Sequence, residues 1–264
     1  MHDLRITVIQ SKLYWHQPDA NRAMFEEKVW QIKNGTDIII LPEMFTTGFS
    51  MEAIHLAETL NGPTHKWMKQ IASQTKACIT GSIICKDGAD IFNRLLWVYP
   101  DGKTEYYDKR HLFSMAKENT RFSAGNQRLI VEYKGWKICP MICYDLRFPV
   151  WSRNVKNQNE LVYDLLIYVA NWPQVRVNAW ESLLKARAIE NLSYCIGVNR
   201  VGDDGNNVPY SGSSMVLDPK GETTWYNDGE EMIHEATLSG NDLLKFRDKF
   251  PTHLDADNFE ININ

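Results

Sequence analysis

Short, wholly apolar runs constrain this chain more than any other feature: Ile38-Ile39-Ile40-Leu41, Ile138 to Ile142 and Leu165 to Ala170 carry no charge at all. Runs this short suit strands, and a strand apolar on both faces must be buried on both, as in parallel sheets covered by helices. Helical patterning lies between them. Asn21 to Asn34 reads as a helix stopped by Gly35, Thr64 to Thr75 follows Gly62-Pro63, and Val177 to Leu192 carries Trp180, Leu183, Leu184, Ala188 and Leu192 at helical spacing. Leu4, Ile6 and Val8 alternate as a strand; further strands are predicted over 78–86 and 92–99 around Asp87-Gly88, and over 104–108, 129–133, 137–143, 195–200, 213–217 and 231–238. A short helix is predicted near 149–156, a long polar loop from Ser114 to Gln127, and a turn at Gly202 to Asn206. Strands and helices alternate without a Gly-, Pro- or Ser-rich linker, which predicts one α/β domain over residues 1–264, its helices covering buried sheets.

Composition narrows the partners. With 264 residues and 44% apolar content, about three quarters of the unfolded surface can be buried. A balance of 29 basic and 33 acidic residues, net −4, leaves no electrostatic footprint for nucleic acid. No stretch approaches the roughly 18 apolar residues of a membrane span, and Met1 to Arg5 enters a strand rather than a signal-peptide core, so a soluble, cytoplasmic protein is expected. Cysteines 78, 85, 139, 143 and 195 are odd in number and lie mostly in apolar runs, which fits reduced thiols. Zinc spacing is lacking around them, so no metal is expected, and neither a Walker loop nor a Rossmann glycine fingerprint is present.

Three reactive side chains share one kind of address. Cys143 sits where the apolar run 138–142 breaks into Tyr144-Asp145-Leu146-Arg147-Phe148-Pro149, and Glu43 and Lys109 close two other strand-like segments. Strand ends are where a rigid sheet presents distant parts of the chain to one small molecule. A thiol there needs a base, which a carboxylate supplies; an ammonium stabilises the oxyanion of a tetrahedral intermediate, and the backbone N–H of Tyr144 adds a second donor. Taken singly, each residue has an ordinary structural explanation: an inert core cysteine, a loop-starting glutamate, a solvated lysine. His111 neighbours Lys109, but no Asp or Asn partner for it is evident, so a Cys–His mechanism ranks far lower.

Context joins them. Leu41-Pro42-Glu43-Met44-Phe45, Tyr107-Asp108-Lys109-Arg110-His111-Leu112-Phe113 and Ile142-Cys143-Tyr144-Asp145-Leu146-Arg147-Phe148-Pro149 resemble the three signature segments of the nitrilase superfamily of carbon–nitrogen hydrolases. The resemblance continues through Tyr168 to Pro173 and Ala186 to Asn191, and within the superfamily is nearest the bacterial omega-amidase (2-oxoglutaramate amidase) branch. It implies a four-layer αββα sandwich, commonly a homodimer, with Glu43, Lys109 and Cys143 as catalytic triad, Glu118 as an auxiliary glutamate, and no cofactor. The implied substrate is a small 2-oxo dicarboxylate monoamide. Its far carboxylate needs a cation, for which Arg176, Arg147 and Lys117 are candidates, Arg147 being better explained as a structural ion pair; Phe49, Tyr144 and Trp172 are candidate walls. Arg187, Glu190 and Asn191 fit structure better than catalysis. Other amidases of the superfamily, acting on N-carbamoyl amines, aliphatic amides or deaminated glutathione, use the same triad, as does a true nitrilase. A binding protein that keeps the fold without turnover is the alternative of a different class.

Overall fold

The computed structural model describes residues 1–157 and 160–261. Two seven-stranded sheets lie face to face. The strands used below are β1 (Leu4–Gln10), β2 (Ile38–Ile40), β3 (Cys78–Asp87), β4 (Asp90–Val98), β5 (Thr104–Asp108), β6 (Val131–Tyr133), β7 (Trp136–Ile142), β8 (Leu165–Ala170), β9 (Tyr194–Asn199), β10 (Val201–Asp203), β11 (Pro209–Leu217), β12 (Thr223–Asp228) and β13 (Met232–Leu238). The main helices are α1 (Pro18–Val29), α2 (Pro63–Thr75), α3 (Val177–Asn191) and α4 (Gly240–Lys249). The first sheet runs β13-β1-β2-β3-β4-β5 and the second β10-β11-β9-β8-β7-β6, with Glu58–Thr59 added beside β3 and β12 beside β11. The apolar runs are parallel at the centre of each sheet: β2 between β1 and β3, β8 between β7 and β9.

Two-residue alternation sorts the side chains into layers. Ile38 and Ile40 of β2 enter the core between the sheets with Leu4, Ile6, Val8 and Trp97, against Ile138, Ile167 and Ile196 from the second sheet. Ile39 and Leu41 point the other way, into a second cluster with Phe25 and Val29 of α1 and Trp67, Met68 and Ile71 of α2. Trp180, Leu184 and Ala188 of α3 cover the outer face of the second sheet. Gly197 of β9 permits that close approach, because a Cβ there would lie 2.4 Å from Leu184 and 2.7 Å from Trp180. Helix, sheet, sheet and helix make the expected αββα order. No helix among the described residues is long and apolar enough to cross a membrane.

Some boundaries differ from expectation for identifiable reasons. Helix α1 begins at Pro18, whose fixed φ suits the first helical turn, and ends at Val29 rather than Asn34. The amides of Lys33 and Asn34 instead donate to the Glu235 carboxylate at 3.0 and 2.9 Å. The helix near 149–156 is a single turn, Pro149–Ser152. Beyond it the Asn154 amide donates to Asn191 Oδ1 (2.8 Å) and Arg128 takes the Arg153 carbonyl (2.7 Å), which draws the backbone off the helical path. The 114–127 loop contains two 3₁₀ turns, Ser114–Ala116 and Glu118–Thr120. Val201–Asp203 is a strand where a turn was expected, and β12 and α4 were not anticipated, although Ser239 accepting from the Asp242 amide (3.2 Å) is an ordinary helix N-cap.

All five cysteines are unpaired and buried. Burial pushes the thiols of Cys78 and Cys139 up to about 12. Groups whose pKa is raised by folding contribute stability that is complete below the unfolded value, near 9, and is lost as pH rises toward the folded one. Stability is therefore expected to fall above pH 9 by about 1.4 kcal/mol per pH unit per thiol, read as a declining Tm in thermal denaturation. Cys139→Val should shallow that slope; an unaltered slope would remove Cys139 from the account.

Candidate active site

Four strand ends converge on one pocket. Glu43 follows β2, where Leu41 still donates to Thr80 O (2.8 Å) and Met44 and Phe45 are held by Ser82. Lys109 follows β5, its amide donating to Asn93 O of β4 (3.0 Å). Cys143 is the first residue beyond β7, opening the 3₁₀ turn Cys143–Arg147, and Asn171 follows β8. The structure thus ends the strand at Ile142, one residue short of the expected Cys143. At φ +44° the Cys143 backbone is in the left-handed region, a strained conformation that turns the thiol out of the sheet at the pocket floor.

Buried charges surround the thiol. Lys109 Nζ donates to Glu43 Oε1 (2.9 Å) and to Glu118 Oε2 (3.0 Å), all three side chains being fully buried. Burial alone would lower the Lys109 pKa, but the carboxylates of Glu118 and Glu43 outweigh it and raise it above the ordinary lysine value. Glu118 is pushed up by burial, against the pull of Lys109, and also receives the Phe113 amide (2.6 Å). The Asn171 amide donates to Glu43 Oε2 (2.8 Å), while Asn171 O lies 3.8 Å from Cys143 Sγ. Burial, then the charge of Glu43, push the Cys143 thiol well above its ordinary value, with Lys109 opposing. The resting sulfur is therefore protonated at neutral pH, beside a carboxylate able to take that proton.

Asp145 locks the turn in place. Its Oδ2 accepts from Ile142 N (3.1 Å) and Tyr107 Oη (2.8 Å), and its Oδ1 from the amide and Nδ1 of His111 (2.9 and 2.8 Å). One carboxylate thus ties the nucleophile turn to both sides of Lys109. This corrects the expectation that His111 has no carboxylate partner. The ring stacks on Phe148 at 3.7 Å and lies outside the pocket lining, so it orients the turn instead of serving the thiol. Arg187, also buried, donates to Leu146 O (2.6 Å) and pairs with Glu190 (2.9 Å), which is the structural role expected of it.

The cavity above the thiol measures about 460 Å³. Phe49, Tyr144, Trp172, Arg147 and Arg176 line it, with Lys109, Cys143 and Asn171 at its base and Trp15, Asp204 and Tyr210 along the far wall. Arg147 is not the structural ion pair considered from sequence. Its guanidinium lies over the Trp172 ring (4.9 Å) and that of Arg176 over Phe113 (5.2 Å); among the described residues neither has a salt-bridge partner. Trp172 Nε1 in turn donates to Arg176 O (2.8 Å), so one indole supports both arginines. Lys117 is exposed and outside the lining; its left-handed backbone (φ +60°) directs Glu118 inward instead. Asn93, Asn171 and Asp145 went unrecognised as site residues. The sequence offered little signal for Asn93, which stands beside Arg94 in a strand that is wholly apolar only from Leu95 to Val98.

Solvent access separates the thiols. Cys143 is 8% exposed on the pocket floor and the other four are 0% exposed. Iodoacetamide under native conditions is expected to alkylate Cys143 before any other cysteine, read by peptide mass spectrometry. Equal labelling of Cys78 would contradict an assembled site.

A buried carboxylate, ammonium and thiol at the ends of strands in an αββα sandwich define a class of amide-cleaving enzyme, and the chain belongs to it: residues 5–244 match the carbon–nitrogen hydrolase family. Omega-amidase YafV of Escherichia coli K12 is 46% identical over 99% of this chain and 100% of its own length. The 2-oxoglutaramate amidase of Bacillus subtilis is 29% identical over 93% of this chain and 95% of its own. A CN-hydrolase superfamily protein of Xanthomonas campestris, solved with an arsenic adduct in its active site, superposes with a TM-score of 0.97 at 46% identity, over 99% of this chain and 100% of that one.

Proposed function

We propose that this protein is an omega-amidase, hydrolysing the terminal amide of 2-oxo dicarboxylic acid monoamides such as 2-oxoglutaramate and 2-oxosuccinamate to the 2-oxo acid and ammonia. The observation that carries the reading is the pairing of a Glu43–Lys109–Cys143 cluster with two guanidiniums that, among the described residues, form no salt bridge. The omega-amidases among its relatives support the same assignment.

In this reading Glu43 accepts the Cys143 proton as sulfur bonds to the amide carbon. A carboxylate has about four lone-pair sites, and three donors occupy Glu43: Lys109 and Asn93 on Oε1, Asn171 N on Oε2. The remaining site is on Oε2, so that oxygen is the base. Lys109 and the Tyr144 amide hold the oxyanion, and Glu43 delivers its proton to the nitrogen as the C–N bond breaks and ammonia leaves. Water then attacks the thioester with Glu43 again as base, the C–S bond breaks, and the proton returns to sulfur. Glu118 keeps Lys109 charged and in place. Every step is proton transfer or acyl transfer, needing no cofactor.

Arg176 and Arg147, with Trp172 and Phe49 as walls, would receive the far carboxylate and 2-oxo group. Arg176→Met is expected to raise KM for 2-oxoglutaramate about 10–100-fold with a smaller effect on kcat. A steady-state KM that does not move would transfer the role to Arg147. We further propose a single catalytic domain acting as a cytoplasmic homodimer, which light scattering showing only monomer would contradict.

Ammonia release decides the substrate: 2-oxoglutaramate beside glutamine, an N-carbamoyl amine and a simple aliphatic amide. Turnover confined to the 2-oxo acid amide supports the proposal. Preference for another amide keeps the triad and changes the substrate, while silence on all of them would favour a binding protein of the same fold.

A further inference from the structure

One side chain bridges both carboxylates of the cluster, and it is neither acid nor base. Asn93, fully buried in β4, donates through Nδ2 to Glu43 Oε1 (2.8 Å) and to Glu118 Oε1 (3.3 Å), while its carbonyl accepts the Lys109 amide (3.0 Å). The amide orientation is forced by its neighbours: reversed, its oxygen would face two carboxylates. Its own Oδ1 is buried without a partner among the described residues.

We propose that Asn93 is a positioning residue for the reaction, spreading its two N–H bonds across Glu43 and Glu118 so that both stay ionised around a single lysine. Two carboxylates and one ammonium, all with fully buried side chains, leave the cluster one negative charge in excess. A neutral donor relieves that excess without adding a proton that could be transferred. It also occupies Oε1 of Glu43 together with Lys109, which leaves Oε2 as the oxygen free to serve Cys143. Aspartate would add a third carboxylate, and leucine would fill the same space with no donor. This inference rests on the proposed role of Glu43 as base, but not on the identity of the amide substrate.

The charged and titratable groups facing Glu43 are Lys109, Glu118, Cys143 and, across the pocket, Tyr210. Lys109 stays an ammonium, and the Cys143 and Tyr210 protons leave only at alkaline pH, so an acid limb of activity reports the carboxylate side of the cluster, where burial pushes Glu118 up. A carboxylate that loses a donor holds its proton more tightly. Asn93→Leu is therefore expected to move the acid limb of kcat/KM about one pH unit upward, to lower kcat about tenfold or more, and to leave KM within about twofold.

The test is a pH–rate profile of wild type and Asn93→Leu on whichever amide the wild type turns over, with Tm measured alongside. A shifted limb supports the proposal. A lowered kcat or Tm with an unmoved limb overturns it, leaving Asn93 as packing. The pH dependence of Cys143 alkylation by iodoacetamide repeats the comparison without substrate, so inactivity toward 2-oxoglutaramate overturns the substrate assignment alone. Should Asn93→Leu fail to fold, Asn93→Ser, which leaves room for a bridging water, must show a smaller shift in the same direction, and no shift there overturns the proposal.

Discussion

Cys143→Ala is expected to lower kcat for amide hydrolysis by at least about 10⁴-fold while Tm changes by only a few degrees. The substitution removes one sulfur atom from the floor of an open pocket, so no closed cavity forms, and the contact it gives up to Asn171 O is long, at 3.8 Å. The left-handed backbone at φ +44° is kept by alanine as it was by cysteine, so its strain cancels between variant and wild type. Cys143→Ser is expected to be nearly as inactive. The protein holds even a thiol in its protonated form, and a hydroxyl in the same place is harder still to deprotonate. Ammonia release and mass spectrometry of enzyme quenched during turnover check both halves: an acyl adduct on Cys143 in wild type, none in the variant. More than about a hundredth of wild-type kcat in Cys143→Ala would end the covalent mechanism.

The fold was largely legible because it rests on periodicity. Ile38-Ile39-Ile40-Leu41 could only be a strand buried on both faces, and its neighbours in the sheet follow the same logic. Boundaries failed where long-range contacts overrode local preference, as when Glu235 captured the amides after α1 and Asn191 and Arg128 unwound the chain after Ser152. The C-terminal helix was missed because its apolar stripe is sparse, with only Gly240 and Leu243 buried.

At the site, Glu43, Lys109 and Cys143 were singled out through their segments; Glu43 and Lys109 lie 2.9 Å apart, and Lys109 and Cys143 line one pocket. What the sequence could not display was the layer that holds them. Asp145 and Asn93 act through partners in other strands, and nothing in their own segments marks a buried Asp as a clamp on Tyr107 and His111. Arg147 shows the reverse: adjacency to the nucleophile suggested an ion pair, whereas the ring of Trp172 supports its charge and leaves it free for a ligand.

Lys109→Met is the substitution expected to cost activity and stability together. The lysine is the sole cation among Glu43, Glu118 and Cys143, and its side chain and both carboxylates are fully buried. Breaking a buried ion pair by removing one partner costs about 3–5 kcal/mol, because the remaining charge is left uncompensated. Here two like charges are left. One carboxylate must bind a proton in the folded variant, and a folded-state pKa raised in this way contributes stability that is present at low pH and lost as pH rises through it. The Tm deficit of Lys109→Met against wild type is thus expected to be widest at neutral and alkaline pH and to narrow on acidification. Turnover should fall by at least about 10³-fold, since the oxyanion loses its charged donor. Lys109→Met/Glu118→Gln separates the two consequences: removing one carboxylate should recover most of the lost stability and none of the activity. A double variant as unstable as the single one would mean that Lys109 stabilises the fold by packing and not by charge, and the electrostatic account of the cluster would fail with it.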